Sequence, residues 1–315
     1  MSTLWHSHSV AYIFKEDPDE EIKINIQLLE RAVLATQALA GKNLKFVLLP
    51  TGTKAYGVQC LDNFPFSKDL PLSEELPRIP EPYRSQNFYY NMCDWLTEES
   101  KGKSWTWCEV RPDMVPGFVP NNNVYCLAQT LATYLAAVRE IEGEGKEVSF
   151  PGTETSWKNL SNDSSQDIIA RFSIHCALNP ETCGNGQAFN VADNSNPTSW
   201  STKWPVICEF FGLKGTPPPA GGSGPAPGQY LQDHLDDWKD LEKKHGLATG
   251  RVGNDRSLAI FQFFIMTLLS FDRQLDLTNM HKAWNSGTGK GAEEIDSKQC
   301  WWTAFQRFRD AKIIP

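Results

Sequence analysis

The sequence predicts an α/β fold, a parallel sheet flanked by helices and followed by a mostly helical C-terminal lobe. Three observations predict it. Phe46-Val-Leu-Leu49 are four apolar residues in a row bounded by Pro50 and Gly52, too short for a helix and continuous in the way a strand buried on both faces reads. Upstream, Asp17-Pro18 followed by Asp19, Glu20 and Glu21 has the chemistry of a helix start, and Ile22, Ile26, Leu29 and Val33 then recur at helical spacing. Downstream of residue 150 most of the periodic segments repeat at three or four residues.

The 315 residues suffice for about two domains, and 40% apolar against 22% charged residues allow a large core. A formal charge of −8 excludes a broad nucleic-acid footprint. The longest nearly apolar run, 258–271, includes Gln262 and is short of the roughly 20 residues a membrane span needs. Eight scattered cysteines form no Cys-x-x-Cys pair, which reads as reduced, packed thiols. No basic segment followed by an apolar run opens the chain, so a cytoplasmic protein without a secretory signal is expected.

Taken in order, residues 1–10 carry no clear pattern. His6 and His8 lack a further ligand nearby and read as part of a ragged terminus. Ala11-Tyr-Ile-Phe14 reads as the end of a buried strand. The helix opened at Asp17 runs to about Leu39 and is closed by Gly41, and the strand at 45–49 follows, a strand–helix–strand unit. Residues 58–84, rich in proline and acids, read as a surface loop. A helix is expected from Asn87 to Ser100, a strand from Trp105 to Val110 broken by Arg111-Pro112, and a long helix from Asn121 to Ile141. Val148-Ser-Phe150 reads as a short strand. Ser164-Ser-Gln-Asp167 resembles a capping box before a helix ending at Leu178, Gln187–Val191 a returning strand, and 199–211 a helix. Residues 215–229, Pro/Gly-rich throughout, read as a flexible link. Helices at 230–245, 257–271 and 297–311 complete the chain. Two domains are expected: a sheet core over 1–150 and a mostly helical lobe over 151–315.

Lys54 stands just beyond the carboxyl end of the 46–49 strand, where ligands bind in open α/β sheets. Tyr90 lies on the next helix and offers a phenol. On pattern alone Lys54 reads as a solvated loop lysine and Tyr90 as a packed helix tyrosine. Asp163, Asp167 and His175 are not spaced as a metal site, and no metal is expected. Phe118, Phe263, Phe264 and Met266 suit either an apolar pocket or plain core.

Thr51-Gly-Thr-Lys-Ala-Tyr-Gly57, Asn87-Phe-Tyr-Tyr90, Val110-Arg-Pro-Asp-Met-Val115, Gly117-Phe118 and Phe150-Pro-Gly152 occur in register with Trp157, Ser164-Ser-Gln-Asp167, Ala188-Phe-Asn-Val191 and the closing Ala311-Lys-Ile-Ile-Pro315. Together they resemble the progesterone 5β-reductase/iridoid synthase-like (PRISE) branch of the extended short-chain dehydrogenases/reductases, with a 215–229 loop like that of fungal-type members. The resemblance implies a truncated Rossmann-like parallel sheet flanked by helices with a helical substrate lobe. It implies a secondary-metabolism enzyme reducing an activated C=C bond with NADP(H). It places the family's catalytic tyrosine on Tyr90 and lysine on Lys54, and runs Pro112 and Val115 beside the nicotinamide. The family's opening Gly-rich phosphate turn has no counterpart before Ala11, and Gly221-Gly-Ser-Gly224 is set among prolines. About two βα units, on the order of 60 residues, are then absent, and a homodimer or partner chain is expected to cover the exposed sheet.

A phenol titrates near 10 and needs an adjacent ammonium to act at neutral pH. Lys54 beside Tyr90 would supply it, the phenol hydrogen-bonding a substrate oxygen as it gains enolate character. Three functions fit: an NADPH-dependent reductase of a small apolar enone or carbonyl compound, a cofactor-free isomerase, epimerase or cyclase using the same pair, or a non-catalytic subunit.

Overall fold

The computed structural model describes residues 5–8, 11–254, 260–288 and 294–315. They fall into two compact units, one built from Met1–Asp113, Asp167–Ala192 and Leu275–Glu293, the other from Met114–Gln166, Asp193–Gln274 and Glu294–Pro315.

Strand β1 is Trp5–His8, earlier than the sequence suggests, so His6 and His8 sit on a strand rather than in a ragged terminus. Residues 11–14, expected to end that strand, stay outside the sheet because a side chain takes their backbone groups. Asn25 accepts from the Ile13 N–H at 2.9 Å and donates to the Ile13 carbonyl at 2.8 Å. Asn25 lies on α1, Pro18–Ala40, which starts and stops where the sequence predicts. The Asp17 carboxylate accepts from the Asp19 N–H, Pro18 takes the first position and Gly41, at φ 53°, closes the end.

Strand β2, Leu44–Pro50, is followed by a turn of 3₁₀ helix over Thr53–Tyr56 and by the loop that leads to α2, Phe88–Glu99. That loop is an anchored surface segment, since Leu72 and Ile79 are fully buried. Strand β3, Thr106–Pro112, runs through the expected break at Arg111-Pro112, two residues past Val110. Proline is tolerated there as the last residue of the strand, opposite Val191. Helix α3, Leu127–Glu142, begins later than Asn121 because the Asn123 side chain accepts from the Tyr125 N–H and its carbonyl from Cys126, a turn that delays the helix.

The chain continues through β4 (Glu147–Ser149), α4 (Glu154–Lys158), β5 (Leu160–Ser161), α5 (Gln166–Leu178), α6 (Pro180–Cys183), β6 (Gln187–Val191), β7 (Thr198–Ser199), α7 (Trp200–Glu209) and β8 (Lys214–Thr216). β8 pairs with β4, so the start of the Pro/Gly-rich segment is a strand and not a free link. Gly224 lies so close to Phe150 that a Cβ would collide with its carbonyl. The expected 230–245 helix is two, α8 (Pro227–Asp233) and α9 (Leu235–His245), split at His234. α10 (Ile260–Phe263) widens into a π turn over Phe264–Leu268, and residues 257–259 of the expected helix lie outside the described residues. α11 (Thr278–Thr288) and α12 (Ser297–Asp310) follow.

In the first unit β1, β2, β3 and β6 form one parallel sheet in that order. Val47, Leu49 and Trp107 point from one face into a core shared with Leu29 and Val33 of α1 and Phe88, Met92 and Leu96 of α2. Each such side chain contributes about 1.5–3 kcal/mol on burial. The second unit is centred on a fully buried ion pair. Lys203 reaches Asp163 at 3.1 Å and Ser161 Oγ at 3.0 Å, and Ser297 Oγ donates to Asp163 at 2.8 Å. Asp193 accepts from Ser165 N–H and Oγ at 2.7 and 2.5 Å. Among the described residues all eight cysteines are buried and unpaired, and no helix is long and apolar enough to cross a membrane.

Burial, with Asp163 nearby, pushes the Asp193 carboxyl up to about 6 from its ordinary 3.8. A carboxyl raised on folding stabilises the protein fully below its unfolded value and loses that contribution as pH rises through its folded value. Chemical denaturation should therefore show about 2–3 kcal/mol of stability lost between pH 4 and pH 6, and Asp193→Asn should flatten that slope.

Candidate active site

The carboxyl ends of β2 and β3 meet at a network that starts from alternation along a strand. Residues two apart on β3 share a face, so Trp107, Glu109 and Arg111 line up. Arg111 Nη2 donates to Glu109 Oε2 at 2.7 Å with both side chains largely buried. Thr51 Oγ1, just past β2, donates to the other Glu109 oxygen at 2.6 Å. Arg111 Nη1 approaches the Tyr56 hydroxyl at 3.3 Å, and that hydroxyl donates to Asn190 Oδ1 at 2.7 Å. Asn190 at the end of β6 donates to the carbonyls of Leu72 and Asp276, and its N–H donates to Glu74 at 2.6 Å. The guanidinium is thereby held charged by Glu109 despite burial. Burial keeps the Tyr56 phenol well above its ordinary range and raises the Glu74 carboxyl.

Gly52 allows the two strand ends to close. At φ 153° it takes a backbone conformation side chains rarely adopt, and a Cβ there would stand 3.2 Å from the Pro112 carbonyl and 4.0 Å from the Tyr89 hydroxyl. Tyr90 sits one residue on, in the first turn of α2, which Asn87 caps by accepting from the Tyr89 N–H. Its hydroxyl donates to the Ala55 carbonyl at 2.6 Å and accepts from the Ile79 N–H at 3.1 Å. The Arg78 guanidinium covers its ring at 4.8 Å and pairs with Asp94. Burial raises the Tyr90 phenol, opposed by the Ile79 hydrogen bond and the Arg111 charge.

Lys54 belongs to the same turn as Ala55. The Asn87 side chain donates to the Lys54 carbonyl at 2.9 Å, while the ammonium lies 5.6 Å from the centre of the Tyr12 ring. Burial lowers its pKa from the ordinary 10.5, against the charge of Glu21. The structure thus brings the Tyr90 phenol onto the backbone of the turn that carries Lys54, and gives the ammonium an aromatic neighbour in Tyr12. Tyr12 itself stacks on Phe88 at 5.4 Å and donates to Glu21 at 2.6 Å.

Pro112 ends β3 in the first unit, and Val115 is exposed in the second. Phe118 meets Phe308 edge-on at 5.0 Å. Phe263 is exposed while Met266 is fully buried, so those two face different surroundings. His175 is packed between Phe172 and Trp284. Among the described residues no three metal-ligating side chains come together. Sequence reasoning missed Glu109, Arg111, Tyr56, Asn190 and Glu74. The alternation of Glu109 and Arg111 was the one available signal, and their charge disguised it as a strand end.

The whole chain, residues 1–315, matches the PRISE-like Rossmann-fold domain. It belongs to that family. Among curated relatives of this PRISE-like chain, the short chain dehydrogenase sirQ of Leptosphaeria maculans is 33% identical over 92% of this chain and 71% of its own length. The short chain dehydrogenase ausT of Aspergillus calidoustus is 40% identical over 66% of this chain, a match that spans about half of ausT, 52%. The (S)-8-oxocitronellyl enol synthase ISY2 of Nepeta cataria is 29% identical over the full chain and 75% of that enzyme. In fold, the chain resembles RMD from Pseudomonas aeruginosa, solved with NADPH, at a TM-score of 0.58 and 11% identity over 97% of this chain and 81% of that one. The Thermus thermophilus UDP-glucose 4-epimerase gives 0.54 and 11% over 96% and 77%. The PRISE-like sheet is thus a Rossmann-like one with four parallel strands.

Removing one partner of a buried ion pair strands the other, at a cost of about 3–5 kcal/mol. Glu109→Gln and Arg111→Met should each lower stability by about that much in urea denaturation, while the Glu109→Leu/Arg111→Met double variant should lose distinctly less than the sum of the two.

Proposed function

We propose that this chain is a short-chain dehydrogenase/reductase-like enzyme of secondary metabolism, reducing the enone or carbonyl of a small apolar substrate with NADPH through an enolate held by Tyr90 and Lys54. One observation carries the reading. The hydroxyl of Tyr90, on α2, which matches the family's tyrosine, donates at 2.6 Å to the carbonyl of Ala55, the residue after Lys54 in the turn beyond β2. Relatives named as short chain dehydrogenases and enol synthases support it.

The residues at the strand ends suit the ring end of a nicotinamide. Gly52 leaves a floor that a Cβ would fill, beside the Pro112 carbonyl. The start of α1 suits phosphates poorly, because Asp17, Asp19, Glu20 and Glu21 crowd it with negative charge. When bound, NADPH would supply hydride to the β-carbon of the substrate. The protein's part is to take charge at the substrate oxygen. Tyr90, neutral because burial raises it, exchanges its bond to Ala55 for one to that oxygen and donates its proton as enolate character develops. The Ile79 N–H, already bonded to the phenol oxygen, steadies the charge left behind. Lys54 supplies positive charge along the same turn. Homologues that make enols favour a second reading, in which Tyr90 and Lys54 stabilise an enolate formed by proton removal and the outcome is isomerisation or cyclisation.

Fluorescence titration with NADPH separates the two. Saturable binding supports the reductase, and none up to the millimolar range eliminates it. Tyr90→Phe should remove turnover of either kind by about 100-fold or more while leaving the denaturation midpoint within about 1.5 kcal/mol of the parent. Unchanged turnover would place the chemistry elsewhere.

The two groups also fix the alkaline limb. Lys54 loses its charge below the ordinary 10.5 and Tyr90 ionises above its ordinary 10. Loss of the Lys54 charge should lower activity at alkaline pH, and Lys54→Arg, which keeps the charge, should move that limb to higher pH.

A further inference from the structure

We propose that Tyr12 and Glu21 are positioning residues for Lys54, a relay in which the carboxylate orients the phenol and the phenol's ring holds the ammonium beyond the end of β2. The inference rests on the reading that Lys54 takes part in turnover.

The first argument is how firmly an irregular segment is tied down. Residues 11–14 form no helix or strand and are exposed, yet Tyr12 is fixed at its backbone, its hydroxyl and its ring. Beside it, the buried Asn25 side chain accepts from the Ile13 N–H and donates to the Ile13 and Glu21 carbonyls. The Tyr12 hydroxyl donates to Glu21 Oε1 at 2.6 Å, a bond to a charged acceptor and so of the stronger kind. The ring lies nearly parallel to Phe88, at 11°. An exposed side chain ordinarily keeps its rotamer freedom, and here it is spent on presenting one ring.

The second argument is what that ring meets. Among the described residues the Lys54 ammonium makes no hydrogen bond or ion pair. It stands 5.6 Å from the centre of the Tyr12 ring, within reach of a cation–π contact. Glu21 is the one charge among the described residues that acts on the ammonium, and it favours the charged form against burial. The other ionisable groups around the turn are otherwise engaged. Burial and the Glu109 and Glu21 charges keep the Tyr89 phenol well above its ordinary range. Tyr90 bonds to Ala55, Arg111 pairs with Glu109, and Asp113 accepts from Thr53.

The test follows the Lys54 proton without turnover. The full chain, without cofactor, is labelled competitively with acetic anhydride against pH at low ionic strength, and Lys54 is read by peptide mass spectrometry. Only the neutral amine reacts, so the plateau rate reports access and the midpoint reports the proton. Glu21→Gln removes the charge that opposes burial. Its midpoint should fall, and labelling at about pH 8, relative to the plateau, should rise about twofold or more. Tyr12→Phe keeps the ring, drops the bond to Glu21 and should move the midpoint the same way. Glu20, next in the chain and paired with Lys15 at 2.9 Å, is the control, and Glu20→Gln should label as the parent does. An unmoved midpoint in Glu21→Gln or in Tyr12→Phe, or an equal shift in Glu20→Gln, overturns the proposal. The alkaline limb of turnover should follow the midpoint in Glu21→Gln. A midpoint that moves while the limb stays supports the relay and overturns the use of Lys54 in turnover, so the two failures are distinguishable.

Discussion

Two opposite charges spaced two residues apart on one central strand set the terms for the first unit. Glu109 and Arg111 point to the same side of β3, where both are largely removed from water. Neither is tolerable there alone, because an isolated buried ion costs far more than a typical hydrogen bond contributes. Once paired, they still carry unmet lone pairs and N–H groups, and the neighbouring elements are recruited to meet them. Thr51 comes from the end of β2 and Tyr56 from the 3₁₀ turn, and Tyr56 passes the demand to Asn190 on β6. Three strands and the 3₁₀ turn are therefore tied at their carboxyl ends by polar bonds, beside apolar packing that runs along β2 and the start of β3. Polar bonding is directional where apolar packing is not, which places the more sharply defined geometry at the end of the sheet where ligands bind.

Much of this was legible in the chain because it follows from periodicity. The strand at 44–50, the start and stop of α1, the Asn87-capped α2 and the returning β6 all follow from runs, caps and spacings that are local. What was not legible depends on one side chain taking the place of a backbone partner. Asn25 removes residues 11–14 from the sheet in this way, and Asn123 delays α3. The two charges on β3 misled for a related reason. A charged residue near a proline reads as the end of a strand unless its partner two residues back is considered with it. In the site, the turn carrying Lys54 and the helix carrying Tyr90 were both readable. The hydrogen bond that joins them runs to a backbone carbonyl, which no side-chain pattern reports.

The same burial acts in opposite senses on the two groups of the candidate site. It raises the phenol of Tyr90 and lowers the ammonium of Lys54, because each shift disfavours the charged form. Burial thus favours the neutral form of both groups. The charges that act on them differ, Glu21 on Lys54 and Arg111, Glu109 and Arg78 on Tyr90. In an exposed setting the same two side chains would stay near their ordinary values.

Tyr90 already occupies both hydrogen-bonding capacities of its hydroxyl, donating to Ala55 and accepting from Ile79. The two bonds differ in what they allow. The accepted bond strengthens if the oxygen becomes negative, so it favours proton donation. The donated bond holds the proton against a neutral carbonyl, which a substrate oxygen gaining negative charge outcompetes, since hydrogen bonds to charged acceptors are roughly twice as strong as neutral ones. The resting bond to Ala55 then orients the phenol in advance and costs little to exchange when charge develops. A hydroxyl left free would pay that orientational entropy during the reaction instead. The backbone turn at 53–56 thus serves both as the carrier of Lys54 and as the resting acceptor that keeps Tyr90 aimed at the end of the sheet.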